Sequence, residues 1–297
     1  MAESKRKPAP QGIRPPADDD DVYAIRVPVE SAQVNVDRKI EEILARHQRL
    51  PDPADEMPPP PATFLSGVLR FPWYLQSLTP WIFCSFGLAL SFLGVVLAFW
   101  LADHGLTMAA YAMRFSICWV IVFSLSYLSG CFLAIIEGTA GGYDEITDWP
   151  KGDWRDYFFS LGYPVGMLVL AALVGTAAYW LTFRQSYAVP VVVGFLVYPF
   201  FLLSAMESGS VLGFISRPIL RTCIDLWWGW IIVYTITAAM FAGWLAWALY
   251  FFPYEGFFTA GVSGPILAAI LFIYARLLGR LAWWAQKVAE EENHELL

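Results

Sequence analysis

Apolar residues along this chain come in blocks rather than in stripes. Six runs, at 79–102, 116–136, 157–183, 188–206, 226–252 and 257–274, carry almost no charge. A hydrocarbon layer about 30 Å thick is crossed by about twenty helical residues, so each run predicts one transmembrane helix. A helix that is apolar on every side belongs in lipid or a very large core. The predicted fold is an all-α polytopic helical membrane bundle.

Between the blocks the polar segments alternate in length. Residues 184–187 and 253–256 are tight turns, and 103–114 is a modest connection. Short turns join antiparallel neighbours, which predicts three helical hairpins. The longer connections, 137–156 and 207–225, fall on the other side. Ahead of the first block, 64–78 (FLSGVLRFPWYLQSL) is apolar and aromatic but broken by Arg70 and Pro72. It predicts an interfacial helix with Trp73 and Tyr74 at headgroup level. Trp81 and Trp100 bracket the first span; Trp227, Trp228, Trp244 and Trp247 bracket the fifth; Trp283 and Trp284 follow the sixth. Tryptophans so placed form an aromatic belt. Arg276 and Arg280, just past the last and shortest span, have stems long enough to snorkel.

The first 61 residues differ in kind. They hold nine of the nineteen Lys/Arg and twelve of the twenty-six Asp/Glu, with proline clusters on both flanks. Residues 1–34 cannot bury enough apolar surface to offset chain entropy and are expected to be disordered. Residues 22–29 could pair as a short strand with a partner, limited by Pro28. Val36, Ile40, Ile43 and Leu44 recur at helical spacing, predicting a short amphipathic helix at 35–50, either docked or solvated. Six prolines make 51–61 a stiff spacer. The organisation expected is a tail at 1–61, a membrane domain at 62–287 and an acidic C-terminal tail at 288–297. No h-region precedes the first span, which is expected to serve as its own insertion signal.

Composition sharpens this picture. The chain is 58% hydrophobic and 15% charged, with mean hydropathy +0.52. A net charge of −7 argues against a nucleic-acid partner. Cys84, Cys118, Cys131 and Cys223 lie in or beside apolar runs without a C-x-x-C, as small core residues do. Arg70, Lys151, Arg155, Arg217, Arg221, Arg276, Arg280 and Lys287 share one side of the bundle, against Arg114 and Arg184 on the other. The positive-inside rule then predicts both termini in the cytoplasm, in the setting of a bacterial inner (plasma) membrane.

The most unusual polar stretch is 137–156. Asp144, Glu145, Asp148, Asp153 and Asp156 fall there with Trp149 and Trp154. Two tryptophans among carboxylates suit recognition of a basic or aromatic partner surface. Glu137, Glu207 and Arg276 also recur at intervals of seventy and sixty-nine residues, each after an apolar run. This spacing fits tandem hairpins of parallel orientation. It would gather the three charges at equivalent helix ends, where a carboxylate opposes the macrodipole and calls for a cation. The alternative is three separate interfacial charges. The basic connection carrying Arg217 and Arg221 could likewise clasp the acidic one.

Signals for chemistry are weak. Gly261-Val-Ser-Gly264 matches the G-x-S-G of rhomboid-type proteases, but His47, His104 and His294 all lie outside the spans. Without a base the serine is not activated, and helix packing by small residues is favoured. Gly162-x-x-x-Gly166 and Gly209-x-x-x-Gly213 have the same packing spacing. There is no P-loop, G-x-G-x-x-G or H-E-x-x-H, and the carboxylates lack regular ligand spacing. No cofactor, metal or catalytic residue is expected. The spans hold serines and threonines but few ionisable groups, which weakens coupled transport.

The stretch DWPKGDWRDYFFSLG at 148–162 resembles an element of uncharacterised prokaryotic multi-span membrane proteins. There, an acidic D-x-P-x-x-D-W loop leads into a hydrophobic helix. The YARLLGRLAWW ending at 274–284 is similar. The resemblance spans 62–287 at most and implies architecture rather than activity.

The sequence thus predicts a lipid-embedded, non-enzymatic scaffold or partner-binding protein, its cytoplasmic interaction face carrying Glu137, Asp144, Glu145, Asp148, Trp149, Trp154, Asp156, Glu207, Arg217, Arg221 and Arg276. The alternative is a transporter or lipid-handling protein with a path between hairpins. Oligomeric state is left open.

Overall fold

A computed structural model describes residues 64, 66–146, 149–150, 154–182, 186, 188–210, 212–252 and 255–295, with side chains described outside 154–156 and 289–295. The expectations for the tail at 1–61 lie outside these residues. Seven α-helices follow in order: α1 (Leu75–Asp103), α2 (Thr107–Ala140), α3 (Trp154–Leu181), α4 (Ala188–Ser208), α5 (Arg217–Asp225), α6 (Trp227–Phe251) and α7 (Gly256–Glu295). No strand occurs among the described residues. All but α5 are long and apolar enough to cross a membrane. The chain is an all-α, multi-pass integral membrane protein.

Three helices stop on the same device. At Gly105, Gly142 and Gly209 the backbone turns left-handed, with φ of 76°, 81° and 62°. The N–H after each glycine reaches back five residues: Leu106 to the Leu101 carbonyl, Tyr143 to Gly138 and Ser210 to Ala205. This is the Schellman arrangement, which satisfies carbonyls that a helix end leaves open. Because α1 ends at Asp103 and α2 begins at Thr107, the modest connection expected at 103–114 is a tight turn through Gly105 instead.

The packing is centred on the last helix. α7 lies most extensively against α1, then α2 and α6, while α3 and α4 pair with each other and α3 leans on α2. Gly264 lets α7 approach α1 closely, since a Cβ there would lie 2.3 Å from the Ala89 nitrogen. Gly279 does the same towards α2, where a Cβ would meet the Ile136 carbonyl oxygen at 2.9 Å. The expected G-x-x-x-G contact at Gly162 is absent: the space beside it is open.

Register between neighbours shows which positions lie level along the bundle. Gly94 meets Ile117 and Gly87 meets Ser124 across α1 and α2. Continuing that register puts Gly130 level with Trp81. Gly261 against Leu93 and Gly264 against Ala89 put Phe272 at the same level. From Trp81 to Trp100 the helix rises about 28 Å, close to the hydrocarbon thickness. The deepest core lies at and beyond the Trp81 level. Cys131, Ile135, Ile136, Leu202, Ala205, Phe272, Ala275, Leu277 and Leu278 are at most 1% exposed, whereas Phe83, Phe86, Phe115, Phe123 and Leu173 are open along the spans. Lipid tails already solvate apolar side chains inside the bilayer, so burial against protein gains little there. Past the headgroups the same side chains need protein cover.

Three expectations are corrected here. The last helix is not the shortest but the longest, at 40 residues, and it runs through Arg276 and the acidic stretch to Glu295. The expected interfacial helix at 64–78 is a set of turns and a short 3-10 turn, Phe71–Trp73, before α1. Its Phe64, Val68 and Phe71 are buried in the bundle, leaving Trp73 exposed. Finally, part of the 207–225 connection is itself a helix, α5.

Candidate functional site

The charges at the Arg276 end of the bundle sort into two groups. The first is built on α7. Arg276 and Arg280 lie one turn apart and are 2% and 6% exposed, so they turn inward rather than snorkel. The Gly142 turn at the end of α2 brings the following residues back onto α7. Arg276 Nη1 donates to Thr139 Oγ1 at 2.9 Å and to the Tyr143 carbonyl at 3.1 Å. Its Nη2 donates to the Asp144 carbonyl at 3.1 Å and to Asp144 Oδ1 at 2.6 Å. Arg280 Nη2 reaches the same Oδ1 at 2.6 Å. The Arg276 guanidinium also lies 4.9 Å from the Phe71 ring centroid. One carboxylate therefore takes two guanidinium groups, and the other bonded Arg276 donors go to the Tyr143 and Asp144 carbonyls and the Thr139 hydroxyl, while its Nε is buried without a hydrogen-bond partner among the described residues.

Beyond Asp144 the chain keeps descending into the bundle. Ile146 is 3% exposed and packs near Gly138. Trp149 stacks on Phe272, 6.2 Å between centroids and 21° between planes. Pro150 lies over Gly130, where a Cβ would meet its Cγ at 3.3 Å, and accepts a hydrogen bond from the Tyr157 hydroxyl at 3.1 Å. By the register above, Trp149 and Pro150 reach the level of Trp81. The stretch expected to be a solvated recognition loop is, in these residues, a re-entrant segment wedged among α2, α3 and α7.

The second group lines a cavity of about 840 Å³ between the ends of α2, α4 and α7 and the whole of α5. Glu137, Glu207, Arg217, Arg221 and Asp225 face it, beside Ile136, Leu203, Met206 and Leu226. Ser216 donates a hydrogen bond to Glu207 Oε2. Arg217 and Arg221 form no ion pair among the described residues, and Glu137 and Asp225 accept no side-chain hydrogen bond there. Burial pushes the nearby Cys223 thiol pKa up.

The sequence-predicted residues are thus divided. Glu137, Glu207, Arg217 and Arg221 meet at the cavity, while Asp144 and Arg276 meet elsewhere. The expected Glu137/Glu207–Arg276 cluster does not form, and Arg276 sits within a continuing helix rather than at a helix end equivalent to the other two. Nor does the basic connection clasp the acidic one; α7 does. Glu145 is exposed. Asp148 lies outside the described residues, and the side chains of Trp154 and Asp156 are not described. The sequence reading passed over Thr139, Phe71, Asp225 and the inward role of Arg280. Only the four-residue spacings of Arg276 with Arg280, and of Arg217, Arg221 and Asp225, hinted at shared faces. All four cysteines are free. No group of three His, Cys, Asp or Glu among the described residues is placed to hold a metal ion.

Comparison of the chain with protein-family models, curated proteins and solved structures finds no match.

Proposed function

We propose that this chain is a non-enzymatic, lipid-handling membrane protein that holds an amphiphile in the cavity between α2, α4, α5 and α7, with that end facing the cytoplasm. The cavity carries the reading. Its volume of about 840 Å³ is that of a small-molecule site. Its wall joins an apolar surface (Ile136, Leu203, Met206, Leu226) to a charged rim (Glu137, Arg217, Arg221), the two halves of an amphiphile. Leu212, Ile215, Leu220 and Ile224 are exposed on the adjoining segment, and such residues suit contact with a bilayer surface. The bias of Arg and Lys toward this end supports the cytoplasmic orientation.

A partner-binding scaffold built on 137–156 is the weaker reading. Trp149 is stacked on Phe272 and Asp144 is already paired with two arginines, so both have partners within the bundle.

The test is the lipid content of the purified protein. Ala285→Trp places a large ring in the cavity wall. The wild type is expected to retain a defined lipid through detergent washing, measured by mass spectrometry, and the variant to lose it. Equal retention by both would remove the reading.

A further inference from the structure

The cavity holds opposite charges that leave one another alone. Arg217 and Arg221 are one turn apart on α5, so their guanidinium groups can converge on one ligand. Asp225 continues the same stripe, and Glu137 faces it from the end of α2. All four are exposed, and none has an ion pair among the described residues. A purely anionic ligand would seat on the arginines but be repelled by Glu137 and Asp225. A cationic one would meet the reverse. A ligand carrying both charges satisfies both sets.

The orientation of α5 tells which source supplies it. Ile219 and Leu226 are buried beneath the helix, and the charged stripe turns toward the cavity. Flanking the charged stripe, outside the cavity lining, Leu220 is 53% and Ile224 is 74% exposed. A soluble surface helix points its charges outward and its apolar side chains inward. Here large apolar side chains stand exposed beside the charges at the open rim of the cavity, the arrangement expected where the apolar flank touches acyl chains and headgroups enter from the interface.

Resting on the amphiphile reading above, we infer that the cavity recognises the zwitterionic headgroup of an aminophospholipid, the phosphate on Arg217 and Arg221 and the primary ammonium between Glu137 and Asp225. A guanidinium presents paired donors that match phosphate oxygens. A primary ammonium has three N–H donors for carboxylates, as a lysine does, and a quaternary one has none. Phosphatidylethanolamine fits this chemistry, phosphatidylcholine lacks the donors, and phosphatidylglycerol lacks the cation.

The experiment uses the full chain, delipidated in detergent, titrated with dioctanoyl phosphatidylethanolamine, phosphatidylglycerol, phosphatidylcholine and soluble phosphoethanolamine by thermophoresis. Phosphatidylethanolamine is expected to bind at least about tenfold tighter than each of the others, soluble phosphoethanolamine included because it leaves the apolar wall uncovered. R217Q/R221Q should weaken phosphatidylethanolamine by about tenfold or more, and E137Q should weaken it without weakening phosphatidylglycerol. Since these residues are exposed, the variants should keep the wild-type circular dichroism and elution volume. Should the double variant not assemble, E137Q alone decides. Three lipids of equal affinity, all weakened by R217Q/R221Q, would overturn the headgroup inference and leave the amphiphile reading standing. Soluble phosphoethanolamine binding as tightly as the lipid would overturn the bilayer source. No lipid bound by the wild type would remove both readings.

Discussion

Asp144 Oδ1 lies 2.6 Å from Arg276 Nη2 across 132 residues of chain. Arg276 is 2% exposed, while the Asp144 side chain is 60% exposed, so the pair has one face in the protein and one in water. The arginine is the member that cannot do without its partner.

This asymmetry predicts unequal mutational costs. Asp144→Ala leaves Arg276 with Thr139 and two carbonyls, and should cost about 1–3 kcal/mol, the range for stranding a buried polar group. Arg280→Ala leaves the Arg276 contact in place and should cost less. Asp144→Ala combined with Arg276→Met removes the buried charge as well and should recover part of the loss. Thermal melting of the detergent-solubilised protein measures all three, and equal melting points for wild type and Asp144→Ala would contradict the account.

Trp149 is expected to behave as a packing residue. Trp149→Phe keeps a ring over Phe272 and should be mild. Trp149→Ala should cost about 2 kcal/mol, less than the roughly 3–5 kcal/mol of a fully buried aromatic. A melting point unchanged by Trp149→Ala would place the indole outside the bundle.

Two glycines should respond with opposite signs. Gly264→Ala drives a Cβ to 2.3 Å from backbone nitrogen of Ala89, which cannot move without parting α1 from α7. A large loss of folded yield is expected. Gly162→Ala meets open space and should stabilise α3 by roughly 0.5–1 kcal/mol through helix propensity. Fluorescence-detected size exclusion after heating reads both.

Orientation has its own measurement. With the native cysteines replaced by alanine, a cysteine at Leu106 should react with a membrane-impermeant maleimide in intact spheroplasts. One at Glu145 should react only after permeabilisation. Both positions are exposed, so accessibility within the protein does not confound the result. The reverse pattern would invert the proposed topology.

Much of the architecture was already local. Twenty apolar residues form a span wherever they occur, because unpaired backbone groups in hydrocarbon leave few alternatives to a helix. Gly105, Gly142 and Gly209 end their helices for an equally local reason: a left-handed turn carries no Cβ strain at glycine. The charges could not be read this way. Glu137, Glu207 and Arg276 share a spacing, yet spacing along separate helices says nothing about which faces turn toward one another.

From its sequence alone, then, the protein has six membrane helices and a basic end. Hydropathy located the hydrocarbon but not the helix ends, because α7 continues for 19 residues beyond Arg276 in surroundings where charged side chains are tolerated. Only the tertiary structure decided that Asp144 answers Arg276, that Trp149 is wedged against Phe272 and that Arg217 and Arg221 face a cavity with Glu137. Each of these relations depends on the direction a side chain takes after distant helices have packed, and close packing, unlike hydropathy, is a property of pairs.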